Sequence, residues 1–210
     1  MPNPLFLAAA YLPPYRSPYG LKSPEDLEEY IMALGDEVAQ LRATEPGAEV
    51  MYVGDVNGHT GTLPDFADHS ALFEAALGEA AGEDVLLPCA ALPAMPPPRP
   101  RANSCSAAPC PQGKAILQLC CATGLQIANG RVHGDEHGSP TCYSGKHGTT
   151  VDYFLGSPSL VLRATQLQVL PAVPEYRVHR PLELWFAPAE PSSPRHGAAA
   201  QHPSEGSEGT

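Results

Sequence analysis

The sequence predicts an α/β fold, and three observations carry that expectation. Two short apolar runs, residues 5–12 and 50–53, have the length and composition of buried strands. Between them Leu27, Tyr30, Ile31, Leu34, Val38 and Leu41 recur at three- and four-residue steps, the period of an amphipathic helix. The second run stops at Gly54 and hands Asp55, Asn57 and His59 to a loop broken by Gly58 and Gly61. Strand ends of that kind are where α/β proteins place their sites.

Taken in order, residues 5–12 form the first strand, with Tyr11 at its end ahead of Pro13 and Pro14. The helix opens at Ser23 as N-cap, with Pro24 in the first helical position and Glu25 and Asp26 in the first turn. It runs to about Ala43, where Glu45, Pro46 and Gly47 end it and the strand carrying Asp55 follows. Residues 68–81 predict a short helix with Leu72, Phe73, Ala76 and Leu77 on one side. Residues 87–112 are rich in Pro, Ala and Cys and predict an extended insertion, with Arg99 and Arg101 solvated within it.

Residues 113–122 form the next helix, stopped by Gly124. A strand at 125–128 and a turn at Asn129 and Gly130 follow. Residues 132–148, with three His and several Gly, read as loop. Strands are expected at 150–155, at 160–170 as an exposed strand, and at 182–186. Beyond that, 188–210 has no hydrophobic periodicity and reads as a disordered tail, leaving one domain over 4–187.

A chain of 210 residues is long enough for one domain with a real core. Its 25 Pro and 19 Gly predict long irregular segments. The net charge of −11, from 12 basic and 23 acidic residues, argues against tight nonspecific binding to nucleic acid, since phosphate affinity comes from Lys and Arg. No run reaches the ~20 apolar residues of a membrane helix, and 5–12 is too short for a signal peptide. Six cysteines fall short of a disulfide scaffold, and Cys120 and Cys121 read as small buried hydrophobes in a helix. The expected setting is intracellular and reducing, nucleus or cytoplasm, with no membrane and no secretion.

Five pieces then occur in a particular order: Ala10-Tyr11-Leu12-Pro13-Pro14, Gly54-Asp55-Val56-Asn57, the stretch from Gly113 through Gly130, Thr150-Val151-Asp152-Tyr153-Phe154-Leu155, and His179-Arg180-Pro181-Leu182. In this the chain resembles the endonuclease/exonuclease/phosphatase superfamily, and most of all the endonuclease domains of non-LTR retroelements. The resemblance implies a two-sheet sandwich flanked by helices and magnesium-dependent hydrolysis of a DNA phosphodiester. It implies Tyr11 and Asn57 on the scissile phosphate, Asp55 orienting or deprotonating the attacking water, and Asp152 holding the imidazole of His179. It also implies Mg2+ on Asp55 and Asp152.

Two departures bear on activity. The family's first two motifs, an Asn on the first strand and a metal-binding Glu on the next, have no counterpart, so the resemblance implies a domain incomplete at its N-terminus. Where the family has an acid before the final His, this chain has Val178. A valine cannot ligate magnesium, and a poor metal site or none is expected. An uncovered sheet face, or a partner chain over it, is expected from the missing strands. Three other readings stand beside hydrolysis of DNA. The chain is a non-catalytic remnant or interaction module, or a phosphatase for a small phosphoester. Otherwise it is a zinc module on Cys105, Cys110, His133 and His137, with Cys142 and His147 in reserve.

Overall fold

The computed structural model describes residues 4–18, 20–66, 98–105, 107–144, 146–173 and 178–187. The elements run β1 (Leu5–Tyr11), α1 (Pro24–Thr44), β2 (Glu49–Asp55), α2 (Pro111–Thr123), β3 (Gln126–Ile127), β4 (Cys142–Ser144), β5 (His147–Thr149), β6 (Asp152–Gly156), α3 (Pro158–Arg163), β7 (Ala164–Val169) and β8 (Leu182–Phe186). The protein is therefore a mixed α/β structure, as the alternation of strand and helix patterns predicts.

Local chemistry sets the ends of both long helices. Ser23 Oγ accepts from the Asp26 N–H at 3.1 Å, and the Asp26 carboxylate accepts from the Ser23 N–H at 3.1 Å, which closes a capping box at the head of α1. α2 begins earlier than its periodicity suggests, because Cys110 serves as its N-cap and Pro111 takes the first position. Gly124 ends it in the left-handed region, φ 70°, where a side chain is strained.

The central sheet has the order β1-β2-β6-β3, with β1 and β2 parallel and β6 antiparallel to both of its neighbours. α1 and α2 pack together on one face. There Leu27, Ile31 and Val38 meet Ile116, Leu119 and Cys120 over Val50, Tyr52, Tyr153 and Leu155. Burying such side chains stabilises the fold by about 1.5–3 kcal/mol each relative to exposure. On the other face, Phe154 packs into a smaller cluster with Leu167 and Leu184 of the β7–β8 ribbon. A helix layer, a central sheet and a second small sheet thus follow in turn. No helix among the described residues is long and apolar enough to cross a membrane.

The second sheet covers only part of that face. Leu5, Leu7 and Tyr11 of β1 stay 53%, 66% and 61% exposed on it, so an apolar strip lies open among the described residues. Gly35 offers a contrast on the covered side. A Cβ added there would meet Leu119 Cδ1 at 3.8 Å, ordinary contact distance. Gly35→Ala is expected to stabilise the protein by about 0.5–1 kcal/mol through lower chain entropy in the unfolded state, read by urea denaturation.

Four expectations need correction. Residues 132–148 are not all loop: β4 and β5 form an antiparallel hairpin, since Thr141, Cys142, Tyr143 and Thr149 suit an extended pair despite the surrounding glycines. The exposed strand expected at 160–170 starts instead as α3, because Pro158 follows Ser157 at a helix start and Leu160 and Val161 turn inward. Cys121 is exposed, although Cys120 beside it is buried. Arg101 is buried rather than solvated, held by Asp65. The helix expected at 68–81, residues 87–97 of the insertion and the 188–210 tail lie outside the described residues.

Candidate functional site

The register of the central sheet assembles the site. Tyr11 pairs with Asp55 across β1 and β2, and Asp55 pairs with Asp152 across β2 and β6. Residues directly opposite one another in a sheet project from the same face, about 4.8 Å apart from strand to strand. Three polar side chains therefore stand in one row on the face opposite the helices. Gly54 permits this: its φ is +148°, and a Cβ there would lie 1.9 Å from the Ala10 carbonyl oxygen. Only glycine lets β1 come that close just before Asp55.

The loop after β2 is pinned rather than free. The Asn57 N–H donates to Asp55 Oδ1 at 2.8 Å, closing an Asx turn, with Asn57 itself at φ 47°. Asn57 Nδ2 donates both to Asp55 Oδ2 and to the Leu12 carbonyl, each at 3.0 Å. That carbonyl can only accept, so the amide nitrogen must face it. Both amide hydrogens are then used inside the protein, and the donor expected to reach phosphate holds Asp55 in place. Further along, the His59 N–H donates to Cys110 Sγ at 3.2 Å, and His59 O accepts from the Cys110 N–H at 3.1 Å. His59 thus ties the loop to α2 through its main chain.

His179 arrives from far along the chain. It forms an antiparallel bridge with Cys142 of β4, and the Arg180 N–H donates to the Thr141 carbonyl at 2.7 Å. Thr141 Oγ1 in turn accepts from the N–H groups of Val151 and Asp152, 3.1 Å each, which couples the hairpin to the start of β6. Asn129 braces the same strand, donating to the Asp152 carbonyl and accepting from the Phe154 N–H. Thr141 and Asn129 escape a sequence reading because buried polar residues that support others carry no local pattern.

The imidazole stands between two carboxylates. His179 Nδ1 is 3.1 Å from both oxygens of Asp152. A carboxylate accepts only, so Nδ1 carries a proton, and in the neutral form of the ring Nε2 presents its lone pair. That Nε2 lies 3.8 Å from Asp55 Oδ2 and 3.8 Å from Cys142 Sγ. Asp55, Asp152 and His179 each offer a donor atom within 4.8 Å of the others, the one such group of three or more among the described residues.

Burial raises the Asp55 carboxyl above the usual carboxylate range; the Asn57 N–H works against this and the charge of Asp152 adds to it. Because its folded value is raised, Asp55 favours the fold at low pH, and that contribution disappears as pH rises through the raised value. Burial likewise raises the Cys142 thiol, helped by Asp152 and Asp55.

The remaining expected positions are elsewhere. Tyr11 sits at the open end of the row with its ring exposed, and Val178 is 44% exposed beside His179. The zinc module is not assembled: Cys110 caps α2, Cys105 Sγ meets Thr150 Oγ1 at 3.4 Å, and His133 pairs with Glu136 at 2.6 Å on the surface.

No protein-family model matches the sequence, and no curated protein matches it. Among solved structures the chain is similar to a 3'-5' exonuclease, NExo, from Neisseria meningitidis, with a TM-score of 0.48 at 16% identity. That match covers 85% of this chain and 59% of the other. It is also similar to 3' phosphatase NExo from Neisseria bound to product DNA hairpin, with a TM-score of 0.43 at 16% identity, covering 80% and 56%. The chain spans less than two thirds of the length of either.

Proposed function

We propose that residues 4–187 form a hydrolytic domain that cleaves phosphodiesters, DNA being the expected substrate, with support from a divalent ion. One observation carries this reading: the Asp152–His179 pair leaves Nε2 facing Asp55 Oδ2 across a gap of 3.8 Å. A water seated there can bond to both groups, with Asp55 orienting it and Nε2 taking its proton. Asp152 then faces the positive charge that forms on the ring. Tyr11, next in the row, is the group placed to donate to a phosphate oxygen. Asn57 acts here by holding Asp55. The products are a phosphomonoester and an alcohol. The setting proposed for this activity is the nucleus or cytoplasm.

Magnesium is the ion the resemblance implies, and the donors suit it badly. It prefers near-octahedral oxygen ligands at about 2.1 Å and keeps several waters. Asp55 and Asp152 supply carboxylates, but both Asp152 oxygens face an imidazole, and the third donor grouped with them is the His179 nitrogen. No step is therefore assigned to magnesium.

The test is nicking of supercoiled plasmid by the purified chain, with and without EDTA, against His179→Ala and Asp55→Ala. Nicking that EDTA and either substitution abolish supports the reading. Wild-type protein that is folded and silent with magnesium, manganese and zinc overturns it. If inorganic phosphate is released from a small monoester instead, the substrate assignment moves to a phosphatase.

The open apolar strip of β1 favours a second reading, an interaction module whose partner chain covers Leu5 and Leu7. Its simplest form is a second copy, giving a concentration-dependent mass by light scattering that Leu7→Asp removes. A wild-type mass that stays monomeric at all concentrations excludes that form.

A further inference from the structure

The geometry points to the seam between α1 and α2 as a docking groove for a basic amphipathic helix of a partner protein. A hollow of about 500 Å³ opens along this seam, floored by Ile31, Ala115 and Leu119. It continues past Glu28, Ala115 and Gln118 towards Pro24 and Pro111 at the heads of the two helices. From Pro24 to Asp36 α1 rises about 18 Å, room for about three turns of a second helix. Met32 stands 61% exposed at the wall of the hollow. Gly35 adds space: among the described residues, a Cβ built there meets only Leu119 within 4 Å. A glycine weakens a helix interior, and this one is not required by close packing inside the fold. A side chain entering from outside would fill the gap it leaves.

Charge selects the occupant. Glu25, Glu28, Glu29, Met32 and Asp36 follow one another at three- and four-residue steps along α1, an exposed stripe beside the apolar floor. None of these acids forms an ion pair with a described residue. Asp26 and Glu37 of the same helix are used within the fold, by the capping box and by the Tyr52 hydroxyl. Glu25 suits the positive end of the helix dipole, but Glu28, Glu29 and Asp36 lie beyond the first turn, where that effect fades. The facing wall, α2, carries Lys114 as its one charged residue. Four acids beside an apolar floor complement a helix with apolar anchors on one stripe and Lys or Arg along its flanks. A second copy of this chain fits poorly, since its net charge is −11 and the same acids would meet across a two-fold axis. Both helices lie on the sheet face opposite Tyr11, Asp55 and Asp152, so an occupied groove leaves that row open. The inference is independent of the hydrolytic reading.

The probe is a labelled synthetic peptide of leucine and lysine, about 14 residues long, with its leucines at the helical period. Fluorescence anisotropy follows its binding to the whole chain. Saturable one-to-one binding that weakens as salt rises is expected. Met32→Asp, and separately Glu28→Lys with Asp36→Lys, each weaken it at least ~10-fold. A charge-matched control away from the seam, Glu45→Lys with Glu183→Lys, changes it by less than ~3-fold. All the altered side chains are exposed, and circular dichroism checks that each variant is folded. No saturable binding to wild-type protein overturns the proposal, as does equal binding of a peptide whose leucines are scattered around the helix. Loss in the charge variant alone, or an equal loss in the control, means diffuse attraction and overturns the groove. Loss in Met32→Asp alone means a groove without preference for a basic partner, which overturns the assigned occupant. A wild-type chain whose mass doubles without peptide, and no longer does so in Met32→Asp, gives the seam to a second copy and overturns it as well.

Discussion

Asp65→Ala is expected to lower the unfolding free energy by about 3–5 kcal/mol, because it strands two buried guanidinium groups. Asp65 is 1% exposed, with Arg101 at 7% and Arg131 at 5%. Its carboxylate lies 2.5 Å from Arg131 Nη2 and 3.8 Å from Arg101 Nε, and it accepts from the Ile127 N–H at 2.6 Å. Against a total stability of about 5–15 kcal/mol, such a loss removes much of the margin.

The effect reaches the site. Arg101 donates to Thr60 Oγ1 at 3.0 Å, Thr60 contacts the Tyr153 hydroxyl, and that hydroxyl donates to the Gly58 carbonyl at 2.9 Å. The loop after β2 therefore leans on this buried network. A triple change, Asp65→Leu with Arg101→Met and Arg131→Met, is expected to recover most of the loss, since it removes the charges together. Urea denaturation by circular dichroism reads both. An Asp65→Ala protein within about 1 kcal/mol of wild type would mean that water reaches the network in solution.

Asp152→Asn is expected to cut plasmid nicking by about 10³- to 10⁴-fold while leaving the fold intact. An asparagine can offer its N–H to His179 Nδ1, and the ring then carries its proton on Nε2, the atom that must accept one. The loss of negative charge also withdraws support from the imidazolium. Since Asp152 is partly exposed and makes its strand contacts through the main chain, the melting temperature should stay near wild type. Activity equal to wild type would show that the pair is structural and that the proton goes elsewhere.

Most of the elements were legible because their causes are local. The 3.6-residue period of α1, the Ser23–Asp26 capping box and Gly124 after α2 depend on neighbours a few positions away. The β7–β8 region was harder, since a six-residue helix after Ser157 and Pro158 has too short a period to distinguish from a strand. The chain order of Tyr11, Asp55, Asp152 and His179 was also readable. What the order could not convey was the register that sets the first three in a row, which depends on pairing between distant strands.

Only the tertiary structure decided the chemistry at the edges of that row. Nothing near Cys142 in the chain announces that its sulfur sits 3.8 Å from His179 Nε2, because a hairpin read as loop brings it there. Asp65 is one acid among 23 in the sequence, and a charge is exposed unless a partner pays its desolvation. That partner, Arg131, comes from a turn beyond β3, and contacts between remote segments have no signature in composition or period. Local stereochemistry is written along the chain, whereas ion pairs, donor sets and open faces exist only once the chain has folded.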